Sequence, residues 1–377
     1  MPKQTTGPLV LSARDARRVA FRAQLLADDR PSDLLALARH LTVLQYDVTR
    51  HVAPSADLVA WSRLGSEFRP GDLEDAVAAG SLIELDMMLR PAEDLALFTA
   101  EMAVWPGPGP LKDWQRSLRD WVEANDHSRR DILDKLHDEG PLPTSAFPDT
   151  TAVPWESSGW NNDRSVRMLV SQMVSRGEVA AAGRDGRDRL WDLAERVYPD
   201  VPPVPLDEAL EIRARRRLRS LGLARARAAR MPGEPNDVGV AGVEAVVDGV
   251  RGKWRVDPAY LDGLDDAFDR PCAVLLSPLD RLVFDRKRMD ELLDFDYQLE
   301  MYKPKAKRRW GYWAMPIAHG DRLVGKLDAK ADRDSGVLEV GAIHEDGRWS
   351  AAMREAVDEQ VAALADWLGL VEERGPV

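Results

Sequence analysis

The residues whose types and spacing suit chemistry lie in one short segment, residues 41–51, LTVLQYDVTRH. An amide side chain, Gln45, and a carboxylate, Asp47, flank Tyr46. A carboxylate can orient and deprotonate water and stabilise a positively charged sugar, and an amide can hold that water in place. The pair therefore suits hydrolysis at a sugar carbon. The alternative interpretation is the last turn of a helix that carries a solvated aspartate.

The backbone decides whether these two side chains can act on one atom. Residues two apart on an ideal helix point about 200° away from each other. On an extended chain they share a face, with Tyr46 turned back into the protein. A helix that ends near Leu44 would therefore make Gln45 and Asp47 neighbours, and the β-branched residues Val48 and Thr49 favour that ending.

The bulk composition excludes several classes of protein. A chain of 377 residues is too long for one ordinary core, so we expect several domains or subdomains. The single cysteine, Cys272, rules out an internal disulfide, a CxxC redox pair and a cysteine-ligated metal, and PCAVLLSP favours a buried strand there. The six histidines lack HxxxH or HExxH spacing, so no metal and no cofactor is predicted. Because no apolar run approaches the roughly 20 residues of a membrane span and the N-terminus lacks a signal-peptide core, we predict no membrane segment and a cytosolic location.

The order of elements predicts winged helices. A helix over residues 165–176, a strand over 178–183 and a second strand over 188–193 form the back half of such a unit, with residues 184–187 as the wing tip. A basic helix in 206–230 precedes two strands around a turn at Asp248-Gly249. With the helix-rich N-terminal segment, this pattern predicts an α+β fold with three tandem winged-helix domains and a C-terminal β-rich subdomain.

The proposed boundaries define four consecutive segments. The three winged-helix domains cover residues 1–125, 126–203 and 204–272, and the β-rich region covers 273–377. Strands are predicted in AVLLSP, YQLEMY, WGYWAMPIA, DRLVGKLDAK and GVLEVGAIH, with the basic run KPKAKRR in an extended hairpin. A closing amphipathic helix presents an apolar face made of Met353, Val357, Val361, Leu364 and Leu368.

Positive charge is concentrated in two stretches although the net charge is −12. Residues 206–230 carry eight arginines against three acids, and residues 281–309 carry nine Lys and Arg against six acids. Such groups neutralise phosphates, although an arginine-rich helix can equally be a solvated face that pairs with acids. The candidate DNA contacts are Arg63, Arg184, Arg187, Arg281, Arg286, Arg288, Lys303, Lys305, Lys307, Arg308 and Arg309. His51 is expected to be structural, with DNA contact as the alternative.

Nearly the whole chain resembles the AlkZ/YcaQ-type DNA glycosylases, which are built from tandem winged helices. The resemblance is strongest in SPLDRLVFDRKRMDELLDFDYQLEMYKPKAKRRWGYWAMPIAHGDRLVGKLDAKADRDSGVLEV, and GRDGRDRLWDLAERVYP is similar to the second winged helix of the family. LQYD matches the Q-x-D motif of the YcaQ branch, whereas VAPSADLVAWSRLG is closer to the AlkZ branch. The resemblance implies a C-shaped arrangement of the domains and identifies Gln45 and Asp47 as the catalytic pair.

The same resemblance implies a monomeric, monofunctional glycosylase that acts on double-stranded DNA, in the cytoplasm at the nucleoid. Its substrates would be N7-alkylated guanines and the interstrand crosslinks formed through them, and it would serve DNA repair or resistance to a genotoxin. Two alternatives stay open from the residues alone. One is a non-catalytic winged-helix regulator that binds DNA. The other is a protein that sequesters a genotoxin in a pocket lined by Trp105, Trp114, Trp155 and Trp160.

Overall fold

The computed structural model describes residues 7–27, 30–156, 164–228, 233–265 and 273–375. Cys272, predicted in a buried strand, and Trp160 lie outside the described residues. The chain forms two compact units, one made of Met1–Leu73 with Ala214–Val377 and the other of Glu74–Arg213. The boundaries predicted from the sequence divide the chain differently, and they stay a prediction.

Helices and strands alternate along the chain, so the predicted α+β class is confirmed. The first stretch contains β1 (Leu9–Leu11), α1 (Ala13–Ala23), α2 (Leu34–Leu41), β2 (Leu44–Gln45) and α3 (Ser55–Leu64). The middle contains α4 (Asp72–Ala78), β3 (Leu82–Leu85), β4 (Met88–Pro91), α5 (Thr99–Ala103), α6 (Asp113–Ala124), α7 (Asp126–Glu139), β5 (Leu142–Pro143), α8 (Ser165–Ser175), β6 (Val179–Asp185), β7 (Asp188–Leu193), α9 (Ala194–Val197) and α10 (Leu206–Leu221). The last stretch contains β8 (Leu223–Ala224), β9 (Val243–Val247), β10 (Trp254–Val256), β11 (Ala273–Leu275), α11 (Arg281–Phe284), α12 (Arg286–Leu293), β12 (Met315–His319), β13 (Arg322–Asp332), β14 (Val337–Glu345), α13 (Ala351–Leu368) and β15 (Val371–Arg374).

The middle unit contains the helix and hairpin predicted from residues 165–193. Helix α8 is followed by β6 and β7, which pair antiparallel, and β5 adds to the free edge of β7. Gly186 has φ +59° at the tip of this hairpin, a backbone conformation that glycine adopts without steric cost. Leu169, Met173 and Val179 bury their side chains in the core beneath the hairpin.

The other unit contains two sheets. One has the strand order β1-β9-β10-β8, with β1 parallel to β9, so the N-terminal strand completes a sheet whose other strands come from far along the chain. The predicted turn at Asp248-Gly249 lies between β9 and β10, as expected. The other sheet has the order β11-β12-β13-β14-β15. Helix α13 packs on this second sheet, and Val357, Val361 and Leu364 of its predicted apolar face are fully buried.

Two predictions for the C-terminal region are wrong. YQLEMY forms no strand, and KPKAKRR lies in a loop with a single 3-10 turn over Lys305–Lys307 rather than in a β-hairpin. The buried carboxylate of Glu300 accounts for the second result, because it accepts hydrogen bonds from the backbone N–H groups of Arg309 and Trp310 at 2.6 and 2.8 Å. Those N–H groups are turned inward toward a side chain, so this part of the loop is not paired as a strand.

No helix in the described part of the chain is both long and apolar enough to cross a membrane.

A fully buried ion pair holds together distant parts of the first unit. The guanidinium of Arg63, in the last turn of α3, pairs with the carboxylate of Asp280, and neither side chain is exposed to solvent. Arg63 also donates to Ser62 Oγ at 2.8 Å and to the carbonyl oxygen of Gln24 at 3.1 Å. Asp280 in turn caps α11 by accepting from the N–H of Leu282 at 2.9 Å. One interaction therefore fixes α3, the end of α1 and the start of α11.

We expect Asp280→Asn to lower the free energy of unfolding by about 3–5 kcal/mol, because it leaves a buried guanidinium without its counter-charge. Urea denaturation would measure the change. Asp290→Asn is the matched control, since Asp290 is exposed on α12 and should alter stability by no more than about 0.5 kcal/mol. Equal stability of the two variants would contradict the importance assigned to the ion pair.

Candidate active site

Helix α2 ends at Leu41, before Gln45 and Asp47, so the predicted end of the helix ahead of these two residues is present. Thr42 follows Leu41 with φ +67°, in the left-handed region, and its N–H closes the helix on the carbonyl of Ala38 at 2.8 Å. A β-branched residue adopts this conformation at a cost of about 1–3 kcal/mol. The Thr42 hydroxyl is buried and has no hydrogen-bond partner within the described residues. The surrounding structure therefore imposes this helix end, and Gln45 is placed in the short strand β2.

Asp47 lies just beyond β2 in a stretch without helix. Its Oδ1 accepts the backbone N–H of Thr49 at 2.8 Å, which fixes the carboxylate in a local turn. Gln45, Tyr46 and Asp47 are all half-buried, so both polar side chains keep access to solvent. Because the backbone is not helical between them, Gln45 and Asp47 are free of the geometry that would separate them on a helix.

The residues that follow Asp47 are held through their carbonyl groups. The N–H of Ala331, near the end of β13, donates to the carbonyl of His51 at 2.9 Å. The guanidinium of Arg333 donates to the carbonyl of Val52 at 2.7 Å and to that of Arg50 at 3.5 Å. Burial lowers the pKa of Arg333, and the neighbouring Arg50 lowers it further. Three successive carbonyls are therefore bound by the end of β13 and by the turn that follows it. We call residues 50–52 the clamped segment.

His51 of the clamped segment also lines a cavity of about 440 Å³. One wall comes from residues 303–312, which contain KPKAKRR and which we call the basic loop; Arg308 and Tyr312 of this loop line the cavity. The other wall comes from β13 and β14, with Asp328 and His344. The rings of His51 and Tyr312 meet with their centroids 4.7 Å apart. The Arg308 guanidinium lies 4.9 Å from the centroid of the Tyr312 ring, within cation–π range. The cavity thus combines aromatic surface with both signs of charge.

Two titratable groups of this cavity have perturbed pKa values. Burial lowers the pKa of His51, and the charges of Lys330 and Arg308 lower it further, so the ring is neutral near pH 7. Burial raises the pKa of Asp328, against the opposing effects of His344, Arg308 and the Tyr312 N–H. Perturbed groups in a cleft are typical of functional sites. Across the described residues, no three His, Cys, Asp or Glu side chains are grouped to hold a metal ion.

The basic loop presents only some of its cations to solvent. Lys305 and Lys307 are exposed, and neither has an ion pair within the described residues. Arg309 is exposed but pairs with Asp296 at 2.6 Å, and Lys303 pairs with Glu300 at 2.9 Å. Burial by itself would raise the pKa of Glu300, but the hydrogen bonds from Trp310, Lys303 and Arg309 outweigh it and lower that pKa. Glu300 is therefore charged, and its hydrogen bonds to Lys303, Arg309 and Trp310 hold the basic loop in place.

Other predicted DNA contacts lie inside the protein. Arg63 is fully buried in its ion pair with Asp280. Arg288 is buried, donates to the carbonyls of Leu221 and Leu223, and has its pKa lowered to about 10 by burial. Arg286 donates to two carbonyls and stacks over Tyr297 at 4.6 Å, while Arg281 is half-buried beside the carbonyl of Pro235 at 3.5 Å. Arg63 and Arg288 are therefore buried against protein groups, and the half-buried Arg286 directs its guanidinium to two carbonyls.

The basic helix α10 and the strand after it also pair with acids. Arg217 forms a buried ion pair with Glu234 at 2.8 Å. Arg225 pairs with Glu291 at 2.9 Å and lies 3.7 Å from the Trp254 ring centroid. These contacts favour the interpretation of the arginine-rich stretch as a face that pairs with acids.

The two candidate arginines of the β6–β7 hairpin in the middle unit have different surroundings. Arg184 pairs with the buried carboxylate of Glu84 at 3.4 Å, and Arg189 pairs with the same carboxylate. Arg187, at the hairpin tip, is exposed. Of the two candidates, Arg187 is the one whose charge is available to a partner.

The tryptophans of the sequestration hypothesis pack separately. Trp105 lies under the guanidinium of Arg176 at 5.0 Å, and Trp155 meets Trp121 edge-on at 4.9 Å. Trp114 is about half exposed. These contacts are those of core and surface residues of the middle unit.

Sequence reasoning missed the residues that surround His51. Arg333, Asp328, Tyr312 and His344 come from strands and loops nearly 300 positions away from the Gln45–Asp47 motif. No spacing rule connects such residues, because the β13–β14 hairpin brings them together only in the folded chain. One signal was present in the sequence, since Gly311 directly precedes Tyr312 and Gly341 lies three residues before His344.

Comparison with known proteins gives two matches. A family model described as DNA glycosylase AlkZ-like matches residues 38–367. The structure of the Streptomyces sahachiroi DNA glycosylase AlkZ is similar to this chain with a TM-score of 0.59 and 18% sequence identity, covering 97% of this chain and 100% of that one. At 18% sequence identity, this similarity shows that the two chains share a fold and shows nothing further.

We expect Arg333→Met to loosen the clamped segment without unfolding the protein. The variant loses two hydrogen bonds from a charged donor, each worth about 1.5–3 kcal/mol, so local opening should become at least about tenfold more frequent. Hydrogen–deuterium exchange of peptides covering residues 47–54 would measure it. The control is Arg348→Met, an exposed arginine beyond β14. Unchanged exchange in the Arg333 variant would show that the segment is held by other contacts.

Proposed function

Because the chain belongs to the AlkZ-like DNA glycosylase family, we propose that it releases N7-alkylated guanine from double-stranded DNA and unhooks the interstrand crosslinks formed through such guanines. The family makes the protein a DNA glycosylase. The choice of substrate and the roles of individual residues are the proposal. The single observation that carries it is the placement of Gln45 and Asp47 after the left-handed end of α2, outside any helix.

The proposed chemistry is monofunctional hydrolysis. Asp47 takes a proton from a water molecule whose oxygen forms a bond to the sugar carbon C1′, and Gln45 positions that water. The bond between C1′ and the base nitrogen breaks, and its electron pair moves onto the base. Alkylation at N7 has already made that base positively charged, so it leaves as a neutral molecule and needs no strong general acid. The Asp47 carboxylate also stabilises the positive charge that develops on the sugar.

The proposed DNA surface contains the cations that the protein leaves exposed. In the basic loop the exposed cations are Lys305, Lys307 and Arg309, with the half-buried Arg308 beside them, and at the tip of the β6–β7 hairpin the exposed cation is Arg187. We interpret α8 with β6–β7, and α10 with β9–β10, as winged helices whose hairpins approach DNA. Arg63, Arg286 and Arg288 are not part of this surface, because their guanidinium groups are satisfied inside the protein.

Asp47→Asn should reduce base release from duplex DNA carrying N7-methylguanine by at least about 100-fold, because the amide cannot accept the proton from water. Duplex binding should be unchanged. The same assay on a nitrogen-mustard crosslink tests unhooking. Asp33→Asn is the matched control, since Asp33 caps α2 and asparagine caps a helix equally well.

Three outcomes of this experiment distinguish the possible roles of Asp47 and of the protein. Loss of release with retained binding supports the catalytic role of Asp47. Loss of both would point to a docking or folding role. Binding without release by the wild-type protein on either substrate would leave the alternative of a non-catalytic winged-helix binder.

Replacing Lys305 and Lys307 by alanine should weaken duplex binding and flatten its salt dependence. Each phosphate contact contributes about 0.9 to the slope of log K against log salt, so the slope should fall by up to about 1.8. Fluorescence anisotropy at several salt concentrations measures it. Lys287→Ala is the control, because Lys287 on α12 is also exposed but pairs with Glu291 at 3.9 Å. An unchanged slope would remove the loop from the DNA surface.

A further inference from the structure

The cavity beside the clamped segment has a carboxylate that the proposed mechanism does not use. Asp328 lies on β13 where the register with β14 shifts between Asp328 and Ala329. The neighbouring strand pairs Ala342 with Asp328 and Val340 with Ala329, so Gly341 is the extra residue of a β-bulge. Bulges frequently re-aim a side chain beside a functional site. This one places a half-buried carboxylate on the wall of the cavity.

One glycine, Gly311, makes room for this carboxylate, and a second, Gly341, lies beside it. A methyl group at Gly311 would overlap the Asp328 carboxyl atoms, and one at Gly341 would lie 3.4 Å from Asp328 Oδ2. Gly311 also has φ +126°, which side-chain-bearing residues rarely adopt. The basic loop can therefore approach Asp328 closely only because position 311 is glycine.

No cationic side chain of the described residues makes a direct ion pair with this carboxylate. Asp328 accepts the backbone N–H of Tyr312. Glu339, which lines the same cavity, is paired with Lys330 at 3.3 Å. Burial raises the pKa of Asp328 in spite of the nearby positive charges of His344 and Arg308, so a cation bound against the carboxylate would stabilise its charged form.

The remaining walls fit a flat positive ring that carries a phosphate. His51 and Tyr312 supply aromatic surface, and the neutral state of His51 near pH 7 avoids repulsion of a cation. Lys305 and Arg308 line the same cavity and offer positive charge to a phosphate. Negative charge at one wall and positive charge at another match a zwitterionic ligand better than a simple anion.

We propose that this cavity is a subsite for a nucleotide whose base is positively charged, with Asp328 contacting the base and with Lys305 and Arg308 contacting the phosphate. The subsite rests on the proposed function, since an N7-alkylguanine nucleotide is such a ligand. Asp328 then contributes to specificity, because its carboxylate can accept hydrogen bonds from either base but attracts only the methylated base by net charge.

The test compares binding of 7-methylguanosine 5′-monophosphate with binding of guanosine 5′-monophosphate by calorimetry, at mildly acidic pH where the methylated base is positively charged. The full-length protein should prefer the methylated nucleotide by about tenfold, the ratio expected for one added charge-assisted contact. Asp328→Asn should bind both nucleotides equally, since asparagine can still accept the Tyr312 N–H but carries no charge. Glu339→Gln, which alters a carboxylate already paired with Lys330, should keep the preference.

Two results would overturn the assignment. One is equal binding of the two nucleotides by the wild-type protein, and the other is a preference that survives in Asp328→Asn. Base release from duplex DNA with N7-methylguanine, measured on the same wild-type sample, separates this proposal from the proposed function. A preference without release would refute the proposed function and keep the subsite, whereas release without a preference would do the reverse.

Discussion

The buried ion pair between Arg63 and Asp280 is the constraint on which the candidate site depends. Both side chains are removed from water, and a buried pair is tolerated only when its hydrogen bonds are satisfied. Here the remaining donors of Arg63 reach Ser62 and the carbonyl of Gln24, and Asp280 caps a helix. Because α3 follows the clamped segment directly, this pair fixes the chain on the C-terminal side of Asp47. The buried hydrogen bond between Ser55 and Ser277, at 2.8 Å, joins the same two parts of the chain.

Backbone conformation and backbone hydrogen bonds fix the Gln45–Asp47 motif on both of its sides. On its N-terminal side, the left-handed Thr42 stops α2 and allows Gln45 to enter a strand. On its C-terminal side, Ala331 and Arg333 bind three successive carbonyls. Such contacts depend little on which side chains the segment carries, so the segment can present Gln45 and Asp47 while its own backbone stays fixed. Side chains that must act on water are positioned best when the chain under them has little freedom.

The basic residues of this acidic protein divide into two groups with different tasks. Arg63, Arg217 and Arg288 are buried, and they cross-link helices, carbonyls and carboxylates inside the first unit. Lys305, Lys307 and Arg187 face solvent. A guanidinium has five donors in a planar fork, so it can satisfy several carbonyls at once, whereas an ammonium group is strongly hydrated and stays outside. The balance explains how a net charge of −12 coexists with local positive surface.

The sequence by itself determined what depends on neighbouring residues. Periodicity predicted α8 with its hairpin and the apolar face of α13, and the residue types around Gln45 predicted that a helix would end before the motif. Only the tertiary structure decided which cations are free, because Arg63 and Lys305 look alike in sequence and differ in the partners that distant segments bring to them. It also decided that KPKAKRR folds as a loop, since the carboxylate of Glu300 binds the N–H groups of Arg309, the last residue of that run, and of Trp310 after it. The cavity of His51 and Asp328 could not be foreseen, because its walls meet only when the β13–β14 hairpin docks on the clamped segment, and no local pattern encodes that contact.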